Sequence, residues 1–107
     1  MERQTKLCGF IGLAMRAGKV CFGTEACLEQ IEKKKVKLIF LATDASERTK
    51  KVIKQECEKQ QIPVNEALTL EVLSKAIGKQ NKVVIGIKDI NFAKEMQKII
   101  SGGEIIG

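Results

Sequence analysis

At 107 residues the chain can hold one hydrophobic core but not two, so a single domain over residues 1–107 is expected. Apolar residues make up 44% and charged residues 30%, the balance of a folded domain, and no apolar run approaches the roughly 20 residues of a membrane-spanning helix. Nineteen lysines and arginines against thirteen acids leave a net charge of +6, a surplus that attracts polyanions, nucleic acid foremost.

The opening residues Met1–Lys6 are polar and lead into a mixed segment, not the apolar core of a signal peptide, so a cytoplasmic protein is expected. Leu7, Phe10, Ile11 and Ala14 fall at i, i+3, i+4 and i+7, one apolar face of a first helix that should stop near Ala17-Gly18. Arg16 and Lys19 bracket that stop, where basic groups also suit a helix C-terminus. Val20-Cys21-Phe22 is a short strand candidate. Thr24 is then the expected N-cap of a second helix, with Glu25 in its first turn and Cys27, Leu28 and Ile31 inward.

Leu38 to Ala42 is an unbroken apolar run, and a strand with one wet face would alternate, so this strand is expected to be covered on both faces. Thr43-Asp44-Ala45-Ser46 reads as its exit loop, with Ser46 capping a third helix over residues 46–60 that turns Val52, Ile53 and Cys57 inward. Ile62-Pro63-Val64 is a brief strand, started or edged by the only proline. Thr69 can cap a fourth helix with Leu70, Leu73 and Ile77 toward the core and Gly78 at its end, followed by the polar loop Lys79-Gln80-Asn81. Val83–Ile87 is a second buried strand without alternation. Asp89 caps a last helix carrying Phe92, Met96, Ile99 and Ile100, and Ser101–Gly107 should be loosely held. Alternating helices and strands argue for an α/β fold, a three-layer α/β/α sandwich around a small mixed four-stranded sheet.

Catalytic chemistry is hard to place on this chain. There is no histidine to act as a base, and neither phosphate-loop glycine spacing occurs around Gly18 and Gly23. Cys8, Cys21, Cys27 and Cys57 form no C-x-x-C pair, so they read as buried reduced thiols rather than a metal site. Asp44 and Glu47 make a conceivable carboxylate pair, but turn and cap duties explain them better. A non-enzyme with neither cofactor nor metal is expected.

Three loops are the better candidates for a site. Gly23-Thr24-Glu25 opens a helix whose N–H groups could meet a phosphate or base edge. Asp44–Ser46 leaves the central strand, and Ile77-Gly78-Lys79 ends the fourth helix before the next buried strand. With four Phe and no Trp or Tyr, base stacking on an aromatic platform is not the mode; shape, backbone and a few base edges remain.

The ordered set Gly12-Leu13-Ala14-x-Arg16-Ala17-Gly18-Lys19, Gly23, Lys37-Leu38-Ile39-x-Leu41-Ala42-x-Asp44-Ala45-Ser46, Ile62-Pro63-Val64, Leu73–Lys79 and Val83-Val84-Ile85 resembles the bacterial YlxQ-type proteins. These belong to the ribosomal-protein family of kink-turn RNA binders, the large-subunit seven-Ae type, and the resemblance runs over roughly residues 5 to 97. It implies an α/β/α sandwich that grips a kink-turn, a sharply bent RNA duplex with tandem G·A pairs. In archaeal and eukaryotic members a G-x-N-E-x-x-K segment at the start of the second helix reads guanine edges, and a loop after the fourth helix covers unstacked bases. Carried over by position, the first falls on Gly23, Thr24, Glu25, Ala26 and Glu29, and the second on Ile77, Gly78 and Lys79. Glu25 stands at the asparagine position, Ala26 at the glutamate and Glu29 at the lysine, which removes a cation and adds an anion beside the RNA.

What the resemblance implies is a non-catalytic protein binding structured RNA, ribosomal or otherwise kink-turned. Gly23 would permit close approach, Thr24 and Glu25 would offer N–H groups, and Ile77 and Gly78 would cover unstacked bases. Lys19, Lys37, Arg48 and Lys79 are the expected phosphate contacts, with Asp44 in the loop beside them. The altered Glu25, Ala26 and Glu29 keep a second reading open: a protein-interaction module of the same fold, its basic face meeting an acidic protein and its RNA affinity non-specific.

Overall fold

In the computed structural model, which describes residues 2–102, Leu38–Leu41 forms strand β2 and all four residues are buried. The sheet that surrounds it has the order β1-β4-β2-β3, with β1 (Val20–Phe22), β3 (Val64–Asn65) and β4 (Val84–Ile87). β4 runs antiparallel to both β1 and β2, whereas β3 is parallel to β2, so the sheet is mixed. The two strands without alternation, β2 and β4, are the two central ones and are buried along their whole length, the outcome that covered faces demand.

Five helices supply the cover: α1 (Glu2–Arg16), α2 (Thr24–Glu32), α3 (Glu47–Gln60), α4 (Leu70–Ile77) and α5 (Ile90–Ser101). α2 and α3 pack together over one face, and α1 packs against both α4 and α5 over the other. The three-layer α/β/α sandwich expected from the alternation of elements is the observed architecture. Its core runs through all layers, from Leu7, Ile11 and Ala14 of α1 through β2 and β4 to Ile31, Ile53 and Cys57.

Caps fix most of the helix ends. Ser46 Oγ accepts the Thr49 N–H at 3.1 Å, Thr69 Oγ1 the Val72 N–H at 3.2 Å and Asp89 Oδ2 the Phe92 N–H at 3.0 Å, and Gly78 and Gly102 close α4 and α5 in the left-handed conformation. Four local expectations are corrected. Thr24 is the first residue of α2 rather than its N-cap; that position belongs to Gly23, at φ 92° and ψ 148°, and no side chain caps it. Val52 is 38% exposed, because Ile53 and Cys57 one turn apart already define the inward stripe and position 52 points about 100° away. The third strand starts after Pro63, whose carbonyl accepts the Ile39 N–H at 3.0 Å. Ser101 is the last residue of α5 and Gly102 is its buried C-cap; the remainder of the expected loose tail, 103–107, lies outside the described residues.

Candidate nucleic-acid interface

Because β1 and β2 both run opposite to β4, the exits of β1 and β2 and the entrance of β4 share one edge of the sheet. The register makes this explicit: Phe22 pairs with Ile85 and Leu41 with Val84, the Gly23 N–H bonds the Val84 carbonyl at 3.0 Å and the Ala42 N–H the Val83 carbonyl at 2.8 Å. The three loops singled out in the sequence, Gly23–Glu25, Asp44–Ser46 and Ile77–Lys79, therefore gather at this pole, with Arg48 exposed in the first turn of α3 beside them.

Gly23 turns the chain from strand to helix with no residue between. Its φ of 92° with extended ψ is a region that side chains with a Cβ rarely occupy. The first intrahelical bond runs from the Cys27 N–H to the Gly23 carbonyl. The N–H groups of Thr24, Glu25 and Ala26 precede it, so α2 offers its open end outward. Glu25 and Ala26 are exposed and Thr24 is half-buried. Glu29 is occupied by Lys33 one turn on, at 3.6 Å.

The loop after α4 is held from inside. Ser74, the one buried polar side chain of the described core, accepts the Lys82 N–H through Oγ at 2.8 Å and lies 3.3 Å from the Lys82 carbonyl. That clamp sets Lys79 and Lys82 around Phe22, their ammonium groups 5.4 and 5.6 Å from the ring centroid. Two cations around one aromatic ring therefore stand next to an open helix N-terminus, beside the exposed carboxylates of Glu25 and Asp44. Phe22 and Lys82 were not among the residues singled out in the sequence. Their signal is present only in the pairing of β1 with β4, which brings residues 22 and 82 together from 60 positions apart.

Other expectations meet a different geometry. Ile77 is 5% exposed and belongs to the core, so its side chain is turned away from any base; Gly78 and Lys79 are what the loop presents. Asp44 is exposed yet engaged, its Oδ1 accepting the Leu70 N–H at 2.8 Å and so tying the β2 exit to the first turn of α4. Lys19 and Lys37 stand at the opposite pole. The Lys88 N–H bonds the Lys19 carbonyl at 2.8 Å and the Lys37 N–H the Ile87 carbonyl at 2.7 Å, at the far ends of the same strands. With a rise of about 3.3 Å per residue, Lys37 lies roughly 17–20 Å along β2 from the loop pole.

Among the described residues no group of three or more His, Cys, Asp or Glu could hold a metal ion, and no helix is long and apolar enough to cross a membrane. Cys21 and Cys27 are both buried, with sulfurs 3.6 Å apart.

The model of the Ribosomal protein L7Ae/L30e/S12e/Gadd45 family matches residues 5–97. The RNA-binding protein YlxQ of Enterococcus faecium is 41% identical over 97 residues, covering 91% of this chain and 93% of the relative. The protein of the same name from Bacillus subtilis (strain 168) is 32% identical over 90 residues, covering 84% and 90%. Among solved structures, a protein of unknown function from Bacillus halodurans C superposes with a TM-score of 0.86 at 35% identity, covering 90% of this chain and 97% of that one. The Giardia lamblia 15.5kD RNA binding protein has a TM-score of 0.77 at 18% identity, covering 100% and 92%, a likeness of fold.

Proposed function

The chain belongs to the Ribosomal protein L7Ae/L30e/S12e/Gadd45 family, and from that premise we propose that it is a non-catalytic, cytoplasmic RNA-binding protein that recognises a kink-turn or similarly bent RNA. The observation that carries this reading is the build of the loop pole. An uncapped helix N-terminus follows a glycine at φ 92°, beside Lys79 and Lys82 on Phe22. Backbone N–H groups and ammonium groups aimed at one place suit a phosphate backbone that turns sharply. Gly78, exposed and left-handed at the end of α4, leaves room for an unstacked base above it.

In this reading Gly23, Thr24, Glu25, Gly78 and Lys79 form the contact surface, joined by Phe22, Lys82 and Arg48. Asp44 acts through the loop it pins. Glu25 can accept a hydrogen bond from a base amino or imino group and cannot donate one. The specificity of the pole then rests on shape and on the N–H groups more than on a guanine-reading side chain.

The test is a titration with a kink-turn RNA and with the same RNA whose G·A pairs are replaced by Watson–Crick pairs, at two salt concentrations. A preference of tenfold or more, worth about 1.4 kcal/mol, is expected. Equal affinity for both RNAs, vanishing as salt rises, would sink recognition of the bend and favour the protein-interaction reading that Glu25, Ala26 and Glu29 suggest.

A further inference from the structure

At the pole opposite the loops, a depression of about 410 Å³ is lined by Gly18, Lys19, Lys34, Lys35, Lys37 and Lys88, five lysines and a glycine with no carboxylate among them. Their backbone positions are fixed. Lys19, Lys88 and Lys37 sit at the ends of three adjacent strands, joined by the Lys88–Lys19 and Lys37–Ile87 backbone bonds. Lys34 and Lys35 leave α2 through a tight turn in which Lys34 takes φ 61° and the Lys35 N–H bonds the Gln30 carbonyl. Among the described residues none of the five takes part in an ion pair, whereas Lys33, Lys50, Lys54, Lys59 and Lys98 all do.

Helix ends explain part of this cluster and not the rest. Lys19 follows the C-terminus of α1, and Lys34 and Lys35 that of α2, where a cation is favoured by the helix dipole. Lys37 directly precedes β2. Lys88 directly precedes Asp89, the N-cap of α5, where a cation gains nothing from the dipole, and the Asp89 carboxylate is already bonded to the Phe92 N–H. Five like charges around one depression, none of them in an ion pair among the described residues, repel each other, and a bound polyanion relieves that repulsion.

We propose that this lysine-lined depression is a second binding site, which takes the phosphate backbone of an RNA segment other than the one held at the loop pole. The proposal rests on RNA being the ligand and is independent of any preference for a kink-turn. Lysines act as hydrated point charges without bidentate geometry, and the depression offers no aromatic or amide side chain to read a base. The site therefore grips without sequence preference. Because it lies roughly 17–20 Å from the loop pole, a protein using both sites braces two parts of a folded RNA against each other.

The experiment compares the full chain with the triple variant Lys35→Gln, Lys37→Gln, Lys88→Gln and with an equal-charge control, Lys6→Gln, Lys51→Gln, Lys75→Gln, after thermal melts show that all three fold. The probes are a straight RNA duplex, a kink-turn RNA and a polyglutamate peptide, each titrated over a salt series. The pole triple is expected to bind the duplex at least tenfold more weakly at low salt and to flatten the log–log salt slope by about 2–3, near 0.9 for each phosphate no longer neutralised. The control should change the slope by less than half of that. The ratio of kink-turn to duplex affinity at the loop pole should rise or hold. Equal losses in both triples would reduce the effect to net charge and overturn the site. Polyglutamate bound as tightly as duplex, and released by the pole triple alone, would overturn RNA as its ligand in favour of an acidic protein. A wild type without kink-turn preference would defeat the bend-recognition reading while leaving the duplex comparison to decide this one.

Discussion

A Cβ placed on Gly86 meets the Cys21 sulfur at 2.7 Å and the methyls of Ile39 and Val36 at 3.3 Å each. The glycine in β4 is thus the space into which β1, β2 and the approach to β2 converge, and Gly86→Ala should cost about 1–3 kcal/mol by overpacking. Gly9 is the opposite case: it is exposed on α1, with nothing within 4 Å of an added Cβ. Gly9→Ala should stabilise by about 0.5–1 kcal/mol through helix propensity alone. Urea unfolding of the two variants checks both signs, and a neutral Gly86→Ala would mean that the Cys21 side chain can move aside. Gly23 is constrained by its backbone and not by space, since nothing crowds its Cβ position while φ is 92°. Gly23→Ala should cost about 1–3 kcal/mol in strain, or else shift the start of α2 and with it the N–H groups of the proposed RNA surface.

At the scale of elements, two side chains hold the loops that the strands bring together. Asp44 ties the β2 exit to α4 and Ser74 ties α4 to the entrance of β4. Ser74→Ala leaves the Lys82 N–H without its partner and should cost about 1–3 kcal/mol. Asp44→Ala removes a helix-end acceptor and should cost about 0.5–2 kcal/mol, while Asp44→Asn keeps the oxygen and most of the stability. Thermal melts of the three variants rank them, and Asn behaving like Ala would show that charge rather than the acceptor matters at position 44. The elements themselves were legible because local chemistry marks them. Ser46, Thr69 and Asp89 announce helix starts, Gly78 an end, and the unbroken runs in β2 and β4 a covered sheet. The misses have local causes as well. Thr24 is a good capping residue set beside a glycine whose conformation turns the chain first, and Val52 is an apolar residue one step off its stripe. The Asp44 and Ser74 anchors join residues 26 and eight positions apart, and the first of these is fixed by how α4 docks, not by sequence spacing.

Over the whole molecule, strand direction decides which basic residues can act together. Lys19 and Lys79 look equivalent as exposed cations near glycines, yet β1 and β4 carry them to opposite poles; no composition or spacing separates them until the antiparallel pairing is known. Global stability should also carry a signature of the thiols. There is no histidine, so no side chain with an ordinary pKa between 5 and 8 is available to change charge in that range. Burial holds the Cys57 thiol up at about 11, with Glu56 adding to it; in the Cys21–Cys27 pair the shared contact raises Cys27 and lowers Cys21, so their contributions oppose each other and Cys57 carries the signature. An unfolded cysteine ionises near pH 8.5. Between that pH and about 11 the unfolded chain gives up a proton that the folded protein keeps, so stability is full below pH 8.5 and falls as pH rises. For Cys57 alone the loss between pH 8 and 10 should be about 1–2 kcal/mol. Cys57→Ala lowers stability at pH 7 by leaving a cavity, but its alkaline slope should be shallower than wild type by that amount. Urea unfolding at pH 7, 8 and 10 separates the two effects, because the cavity shifts all three values and the thiol changes only their spread; parallel curves would show that Cys57 ionises as freely in the folded protein as in the unfolded chain.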